Sequence, residues 1–270
     1  MTDKRMGGVA GRSEQAGGEE GTAGGASGEA SSGVTLPHAQ LIGELIGLFA
    51  HDLRNPLSAL HSNLGYLEAV LPTEEAEARE AVEDGVVSCD GLSHVIDNVD
   101  LLGQILRGGL SVSRSPFSVT ALLAGAVERC QPAARSHGLK LELDPKARQM
   151  HVAVDVGRDL ATRALTNLIR NSIQHAPSSS TVVVSATVEG RQVAVYVKDS
   201  GSALTDELME HAFTAEGQVA AKVRSNSRYS RGMGLYCARL AARLCGAEVR
   251  VVPSAKGNVF QLTLPQVETV

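Results

Sequence analysis

A histidine beside a carboxylate is the first pair of residues in this sequence that could do chemistry. His51 and Asp52 open the segment HDLRNPL, in which Leu53 and Leu57 are spaced as on one face of a helix. His51 then lies about 200° around the helix from Leu53, so we expect its imidazole to face water. Because Asp52 can accept the Nδ1 proton, Nε2 is left free to attack an electrophile. The pair predicts a nucleophile, and the alternative is an inert surface histidine.

Two asparagines four residues apart form a second candidate site. Asn167 and Asn171 share one face of a predicted helix, while Leu168 and Ile169 point elsewhere. Asparagine is unfavourable inside a helix, so two on one face indicate that they bind something. A neutral amide oxygen can join the Mg²⁺ shell that accompanies a triphosphate. The alternative is a merely hydrophilic helix face.

One aspartate and several glycines at the ends of elements complete the candidates. Asp199 ends a predicted strand, and Gly201 allows the following backbone to approach a ligand closely, although Asp-Ser-Gly alone is also an ordinary turn. Gly232 and Gly234 precede a predicted helix, whose first N–H groups can bind phosphate. A lone G-x-G is equally typical of a simple entry into a helix.

Two long helices must position His51. Apolar residues recur at helical spacing along 42–71 and again along 82–106, with a stop at Leu71-Pro72-Thr73. Pro56 lies where the first stripe shifts by one step. A lone hairpin leaves apolar surface uncovered, so the pattern predicts a homodimer with a four-helix bundle. The alternative is a hairpin covered by the rest of its own chain. The first stripe comprises Ile42, Ile46, Phe49, Leu53, Leu57, Leu60, Leu64, Leu67 and Leu71.

The remaining candidates fall on an α+β segment with helices on one mixed sheet. We expect helices at 157–175 and 233–245, and irregular structure at 203–230. The predicted strands lie at 117–120, 139–144 and 150–155, in a hairpin over 181–199 that turns at Glu189-Gly190, and in a final hairpin of 247–253 and 257–264.

Composition excludes several classes of protein. The chain has 270 residues with 25 Lys and Arg against 30 Asp and Glu, and 3% aromatic residues, which argues against a nucleic-acid surface. Its four cysteines form no CxxC pair, and we expect Cys89 and Cys130, which fall in apolar helical patterns, to be buried free thiols. No apolar run approaches the roughly 18 residues of a membrane span, which favours a cytoplasmic protein. Residues 1–36, rich in Gly, Ala, Ser and Glu, are predicted to be disordered.

Four segments in this order resemble the sequence boxes of bacterial two-component sensor histidine kinases. HDLRNPL is similar to the H-box, and DLATRALTNLIRNSIQHA is similar to the N-box. VKDSG and RGMGLY resemble the first and second glycine boxes. The resemblance covers about residues 40–265. It implies a dimerisation and histidine-phosphotransfer hairpin at 37–112, followed at 115–266 by the ATP-binding α+β sandwich shared with gyrase and the Hsp90 chaperones.

The resemblance also implies roles for individual residues. In the H-box, His51 would be the phosphoacceptor, Asp52 the general base and Asn55 the residue that orients water during dephosphorylation. In the ATP site, Asn171 would hold Mg²⁺, with Asn167 on the phosphate side. The further ATP contacts implied are His175 against the nucleotide, Asp199 and Gly201 at the adenine, and Gly232 and Gly234 at the phosphates. The stretch 203–230 would be a lid over ATP that carries Phe213.

Three departures from the family pattern bear on activity. Gln174 stands where the family usually has Lys or Arg, Ala203 replaces a glycine of the first glycine box, and Tyr236 replaces one of the second.

The implied function is a soluble kinase that autophosphorylates His51 from ATP and passes the phosphoryl group to a separate response regulator. Its input would come from a separate sensor protein, because neither a sensing nor a receiver domain is evident. The alternatives are a response-regulator phosphatase or pseudokinase adaptor, and a non-kinase ATPase switch of the gyrase and Hsp90 type.

Overall fold

The computed structural model describes residues 37–108, 110–219 and 233–267 of the chain. The predicted tail at 1–36, the predicted phosphate-side Gly232 and residues 220–230 of the predicted lid lie outside the described residues.

A helical hairpin opens the described chain. Helix α1 spans Pro37–Val70 and helix α2 spans Ala76–Leu106. The chain turns at 71–75, where the Arg79 guanidinium donates a hydrogen bond to the Leu71 carbonyl over 2.8 Å. That bond satisfies a carbonyl group just past the end of α1. Near the open end the two helices approach closely at Gly43 and Gly103, and Arg107 Nη1 donates to the Gly43 carbonyl over 2.6 Å.

The predicted apolar stripe of α1 divides between two faces of the helix. Ala50 and Leu57 are buried against α2 with Cys89 and Ile96, and Leu64 packs beside them. Other members of the stripe point away from α2 and are exposed, namely Ile42, Phe49, Leu53, Leu60 and Leu67. The stripe is therefore wide enough to supply two packing faces, of which α2 covers one.

A five-stranded mixed sheet forms the centre of the second region. Its strand order is β2-β4-β5-β7-β6, with β2 and β4 parallel and the other pairs antiparallel. Side chains of β4 alternate between half-buried and buried over the first six residues, whereas β5 and β7 each contain three consecutive buried residues. A separate antiparallel pair joins β1 and β3. The strands are β1 Ser115–Ser118, β2 Lys140–Leu143, β3 Ala153–Val156, β4 Thr181–Glu189, β5 Gln192–Asp199, β6 Glu248–Val252 and β7 Asn258–Pro265.

Helices cover this sheet and close its core. The three longer ones, α3, α5 and α7, contact one another or the strands and contribute residues without solvent exposure, such as Leu123, Leu165 and Ala241. Ser118 caps α3 by accepting a hydrogen bond from the Ala121 N–H over 3.3 Å. The helices are α3 Val119–Ser136, α4 Pro145–Arg148, α5 Arg158–His175, α6 Asp206–His211 and α7 Gly234–Leu244.

The predicted fold class, a helical hairpin followed by an α+β sandwich, is confirmed. The predicted hairpin turn is also confirmed, with Gly190 at a φ of 62°. The expectation for 203–230 is wrong in its first part, because α6 lies there and Phe213 is a core residue. The Phe213 ring packs edge-on against Phe260 with centroids 6.3 Å apart. Cys89 and Cys130 are buried free thiols, as predicted, and Cys237 and Cys245 are also buried and free.

None of the described helices is long and apolar enough to cross a membrane.

Candidate functional site

His51 lies on the outer surface of α1. Its side chain is 69% exposed, and Nδ1 lies 3.3 Å from Oδ1 of Asp52. A proton on Nδ1 is therefore shared with the carboxylate, which leaves the lone pair of Nε2 facing solvent. The predicted exposure of His51 is confirmed. The arrangement is suited to nucleophilic attack by Nε2 on an incoming electrophile.

The turn after His51 is anchored to α2. Arg54 Nη2 donates to Asp97 Oδ1 over 3.2 Å and lies 3.9 Å from Asp100 Oδ2. Asn55 is exposed and follows His51 by one helical turn, so the two share a face of α1. Pro56 lies within α1, and Ser58 Oγ donates to the Arg54 carbonyl over 2.8 Å. Proline has no N–H to donate to the carbonyl four residues earlier, which here is that of Asp52.

Asp199 ends β5 with one carboxylate oxygen fully engaged and the other unpaired. Oδ1 accepts hydrogen bonds from the Gly201 N–H over 2.8 Å and from Asn258 Nδ2 over 3.0 Å. Oδ2 is buried and has no hydrogen-bond partner in the described part of the chain. A buried acceptor without a donor is costly, so this oxygen is a ready receptor for an amino group.

Two glycines allow the backbone around Asp199 to pack closely against neighbouring segments. A Cβ on Gly201 would lie 2.6 Å from the His175 carbonyl oxygen, so the strand end packs directly on the end of α5. Gly257 has a φ of 66°, and a Cβ there would collide with the Asp199 carbonyl. From the sequence, Gly201 is predicted to let the backbone approach a ligand closely. The structure shows that it also admits the His175 backbone.

Helix α5 carries the three remaining candidates of the N-box. Asn167 is fully buried, Asn171 is half-buried one turn further on, and His175 is exposed at the last turn beside Asp199. Partial desolvation lowers the pKa of His175, and the Asp199 carboxylate acts in the opposite direction. The neutral imidazole is thereby favoured at the rim of the site.

The N-terminus of α7 meets α5 at Asn167. A Cβ on Gly234 would lie 3.4 Å from Asn167 Oδ1, and no side chain caps the helix at Met233. The first N–H groups of α7 lack partners within the helix, and the helix dipole favours an anion there. The structure therefore brings Asn167 and Gly234 together, and it joins Asp199, Gly201 and His175 at the other end of α5.

Sequence reasoning missed three residues of this site. Asn258 holds Asp199 and also accepts from the Leu204 N–H over 2.9 Å, which orders the loop after β5. Asn98 and His94 of α2 contact Asn167 directly. Asn258 falls within the predicted strand 257–264, and the stripe of α2 indicates only apolar positions. No local pattern in the sequence marked these three side chains.

The second region matches a known family model. Residues 157–268 match the model described as histidine kinase-, DNA gyrase B-, and HSP90-like ATPase. This match spans α5, Asp199 and α7, which are the elements that form the site.

Curated relatives extend the similarity into the hairpin. The aerobic respiration control sensor protein ArcB of Escherichia coli is 25% identical over 81% of this chain and 28% of its own length. The sensor protein SrrB of Staphylococcus aureus is 23% identical over 85% of this chain and 39% of its own length. The chain thus spans well under half the length of these relatives.

Solved structures of histidine kinases share the fold. Full-length ShkA in complex with AMPPNP is 20% identical, with 84% of this chain and 46% of that chain covered at a TM-score of 0.55. Acinetobacter baumannii histidine kinase AdeS is 16% identical, with 81% and 98% covered at a TM-score of 0.51. The resemblance of the four sequence boxes is therefore confirmed. Residues 157–268 are similar to the ATPase domains of the histidine kinase, DNA gyrase B and HSP90-like family, and most of the chain is similar to two-component sensor histidine kinases.

Proposed function

We propose that this chain is a histidine protein kinase, which transfers the γ-phosphoryl group of ATP to His51 and then to an aspartate of a separate response regulator. The observation that carries this proposal is the exposed His51–Asp52 pair on a chain that also contains the ATPase domain. An ATPase that did not phosphorylate itself would have no use for this pair.

The residues of the ATPase domain fit an adenine nucleotide. The unpaired Oδ2 of Asp199 can accept a hydrogen bond from the adenine amino group. His175, with its lowered pKa, offers a neutral ring at the rim against which the nucleotide can pack. Gly234, and Gly232 outside the described residues, would bring backbone N–H groups to the phosphates.

Asn171 is the residue that would hold Mg²⁺. Its side-chain oxygen is a hard neutral ligand, and Mg²⁺ usually takes its other ligands from phosphate oxygens and water. In the described ranges no cluster of three or more His, Cys, Asp or Glu residues could hold a metal, so the ion would arrive with the nucleotide. Bound there, it would neutralise charge on the phosphates during transfer.

The proposed reaction is a displacement at the γ-phosphorus. Nε2 of His51 forms a bond to that phosphorus while the bond to the oxygen of the leaving ADP breaks, and ADP keeps the electron pair. Asp52 holds the Nδ1 proton throughout, since its Oδ1 lies within 3.3 Å of Nδ1. The protein contributes mainly position and charge stabilisation to such a transfer.

A homodimer is part of the proposal. The outward face of α1 carries exposed apolar side chains that include Phe49, Leu53 and Leu60. Pairing two hairpins through this face would cover them in a four-helix bundle. We further propose that a response-regulator receiver domain docks near His51, and that a separate sensor protein supplies the input.

A phosphatase or pseudokinase adaptor is the second candidate function. Exposed Asn55 shares a face with His51 and could orient a water molecule against a phosphorylated aspartate. Gln174, Ala203 and Tyr236 depart from the family pattern on the ATP side, which would weaken the kinase more than the phosphatase.

Incubation of the purified chain with γ-labelled ATP and Mg²⁺ tests the proposal. We expect acid-labile, alkali-stable label that disappears in His51→Gln, because Nε2 of His51 is the proposed acceptor. His61→Gln is the matched control, since His61 is another exposed histidine of α1, 3.4 Å from Asp90. Label that persists in His51→Gln would contradict the assignment.

One further variant and two further assays separate the alternatives. Asp199→Asn should weaken nucleotide binding by roughly 10- to 100-fold, because an amide nitrogen would oppose the adenine amino group. Absence of label, together with loss of phosphate from a phosphorylated regulator that requires Asn55, would favour the phosphatase. ATP hydrolysis that is indifferent to His51 would favour the gyrase-type switch.

A further inference from the structure

Helix α2 of the hairpin is hydrogen-bonded to the N-box helix α5 through a buried pair of amides. Asn98 Nδ2 donates to Asn167 Oδ1 over 3.0 Å, and Asn167 Nδ2 donates back to Asn98 Oδ1 over 3.1 Å. Both residues are buried, with exposures of 6% for Asn98 and 1% for Asn167. The bonds join residues that are 69 positions apart in the chain, so they connect the hairpin to the ATPase domain.

The side chain of Asn167 has no hydrogen-bonding capacity left. Its second N–H donates to the Arg163 carbonyl over 3.0 Å, and its oxygen also lies 3.0 Å from Nε2 of His94. An asparagine side chain offers two donor hydrogens and two acceptor lone pairs. Asn98 and the Arg163 carbonyl take both hydrogens, Asn98 takes one lone pair, and the other lone pair faces Nε2 of His94. A phosphate oxygen could accept from this amide only by displacing Asn98 or the Arg163 carbonyl.

The same face of α2 makes two backbone contacts that support the amide pair. Arg163 Nη1 donates to the Asp97 carbonyl over 2.7 Å. The Asp97 carboxylate in turn accepts from Arg54, three residues after His51. The carbonyl of Asn98 lies 3.9 Å from Sγ of Cys237 on α7, so α2 also covers this thiol. The contact therefore joins the turn of α1 that follows His51 to both helices of the phosphate side.

We propose that Asn98 and His94 form a latch that competes with the nucleotide phosphates for Asn167. The inference rests on the proposed ATP site and concerns its regulation. With the latch closed, the hairpin is docked and the phosphate-side amide is withheld. With nucleotide bound, Asn167 turns to the phosphates and α2 is released. Because such coupling is reciprocal, each event weakens the other.

The latch predicts how the apparent dissociation constant for nucleotide changes when the latch opens. The apparent dissociation constant equals the intrinsic value divided by the fraction of molecules with the latch open. A variant that opens the latch therefore binds nucleotide more tightly, although it has lost a residue that contacts the site. A residue that only stabilises the fold would change affinity in the opposite direction or not at all.

Titration of the full chain with a fluorescent ATP analogue and Mg²⁺ tests the latch. We expect Asn98→Ala and His94→Ala to lower the apparent dissociation constant by about three- to tenfold, which is the range of one or two buried hydrogen bonds. Gln104→Ala is the matched control, because the Gln104 amide lies on the same helix and donates to Asp100 within α2. Thermal unfolding of each variant verifies that it is folded.

Alkylation of Cys237, followed by peptide mass spectrometry, gives an independent readout of docking. Nucleotide in the wild type, or Asn98→Ala without nucleotide, should speed alkylation of Cys237. Cys130 serves as the internal control, since its side chain is as fully buried as that of Cys237 and burial raises its pKa to about 11. Faster labelling of both thiols would indicate general loosening and would overturn the latch.

The outcomes separate the latch from the proposed function. If the wild type binds nucleotide and Asn98→Ala binds it equally or more weakly, the latch is overturned and the proposed ATP site stands. Binding that appears only in the open variants supports the latch most strongly. No binding in any folded variant overturns both the ATP site and the competition for it.

Discussion

The hairpin and the ATPase domain bury their apolar residues to very different degrees. Leu165 and Leu262 in the ATPase domain have no solvent exposure, and Phe260 retains 1%. On α1, in contrast, Phe49 is 65% exposed and Leu53 is 56% exposed. A sheet with helices packed on it closes its own core, whereas two helices can cover only one face of each other. The difference shows which region needs a further surface to complete it.

The two helices of the hairpin also differ from each other. Leu101 of α2 belongs to the core cluster of the ATPase domain, and Leu102 and Ile105 pack against it. Within the described residues, the exposed large apolar side chains of the hairpin lie on α1, apart from Leu92. Helix α2 is therefore shared between the two regions, and α1 presents the face that is still open.

The largest expected effect comes from truncating the closed core. Leu165→Ala should lower the free energy of unfolding by about 2–5 kcal/mol, because it removes buried contacts and leaves a cavity. Leu53→Ala should lower the free energy of unfolding chiefly by weakening the proposed homodimer. Because more of the protein is dimeric at higher concentration, the effect should grow with protein concentration. Urea unfolding at two concentrations distinguishes these outcomes. A Leu53→Ala effect that is equally large at both concentrations would contradict the contrast between the regions.

A charge on the open face of α1 should give the next largest effect. Leu60→Glu should weaken the homodimer by about 100-fold, because burying an unpaired carboxylate in an apolar interface is unfavourable. Sedimentation or light scattering across a dilution series measures this change. Ser62→Glu adds the same charge among the polar residues of α1 and should leave the dimer unchanged. Equal behaviour of the two variants would mean that another surface pairs the chains.

The smallest expected effect concerns ion pairs, which both regions carry at their surfaces. Arg54→Ala removes the contacts to Asp97 and Asp100, and should cost at most about 1 kcal/mol because these groups are partly solvated. Arg114→Ala, which loses its hydrogen bonds to the Asp155 carbonyl, should cost a similar amount. Denaturant midpoints of the two variants test this equality. A much larger cost for Arg54→Ala would show that the docking of the hairpin depends on it.

Local patterns predicted much of the fold. The helical stripes identified α1 and α2, and strict alternation identified the β4–β5 hairpin with its turn at Gly190. Helix α6 was not foreseen, because its six residues are too few to show a period. The apolar stripe of α1 did not show that the helix has two packing faces. The spacing of residues indicates which positions are apolar, but not how many other helices will cover them.

The candidate site divides in the same way. Neighbouring residues in the sequence were enough to predict the exposed His51–Asp52 pair, the asparagine face of α5 and the aspartate at the end of β5. Each of these features depends only on residues a few positions away. Only the tertiary structure placed Asn258 under Asp199 and Asn98 against Asn167. Those partners lie 59 and 69 residues away in the chain. The sequence does not show which group an asparagine side chain will bond, because that is decided when packing excludes water from around the amide.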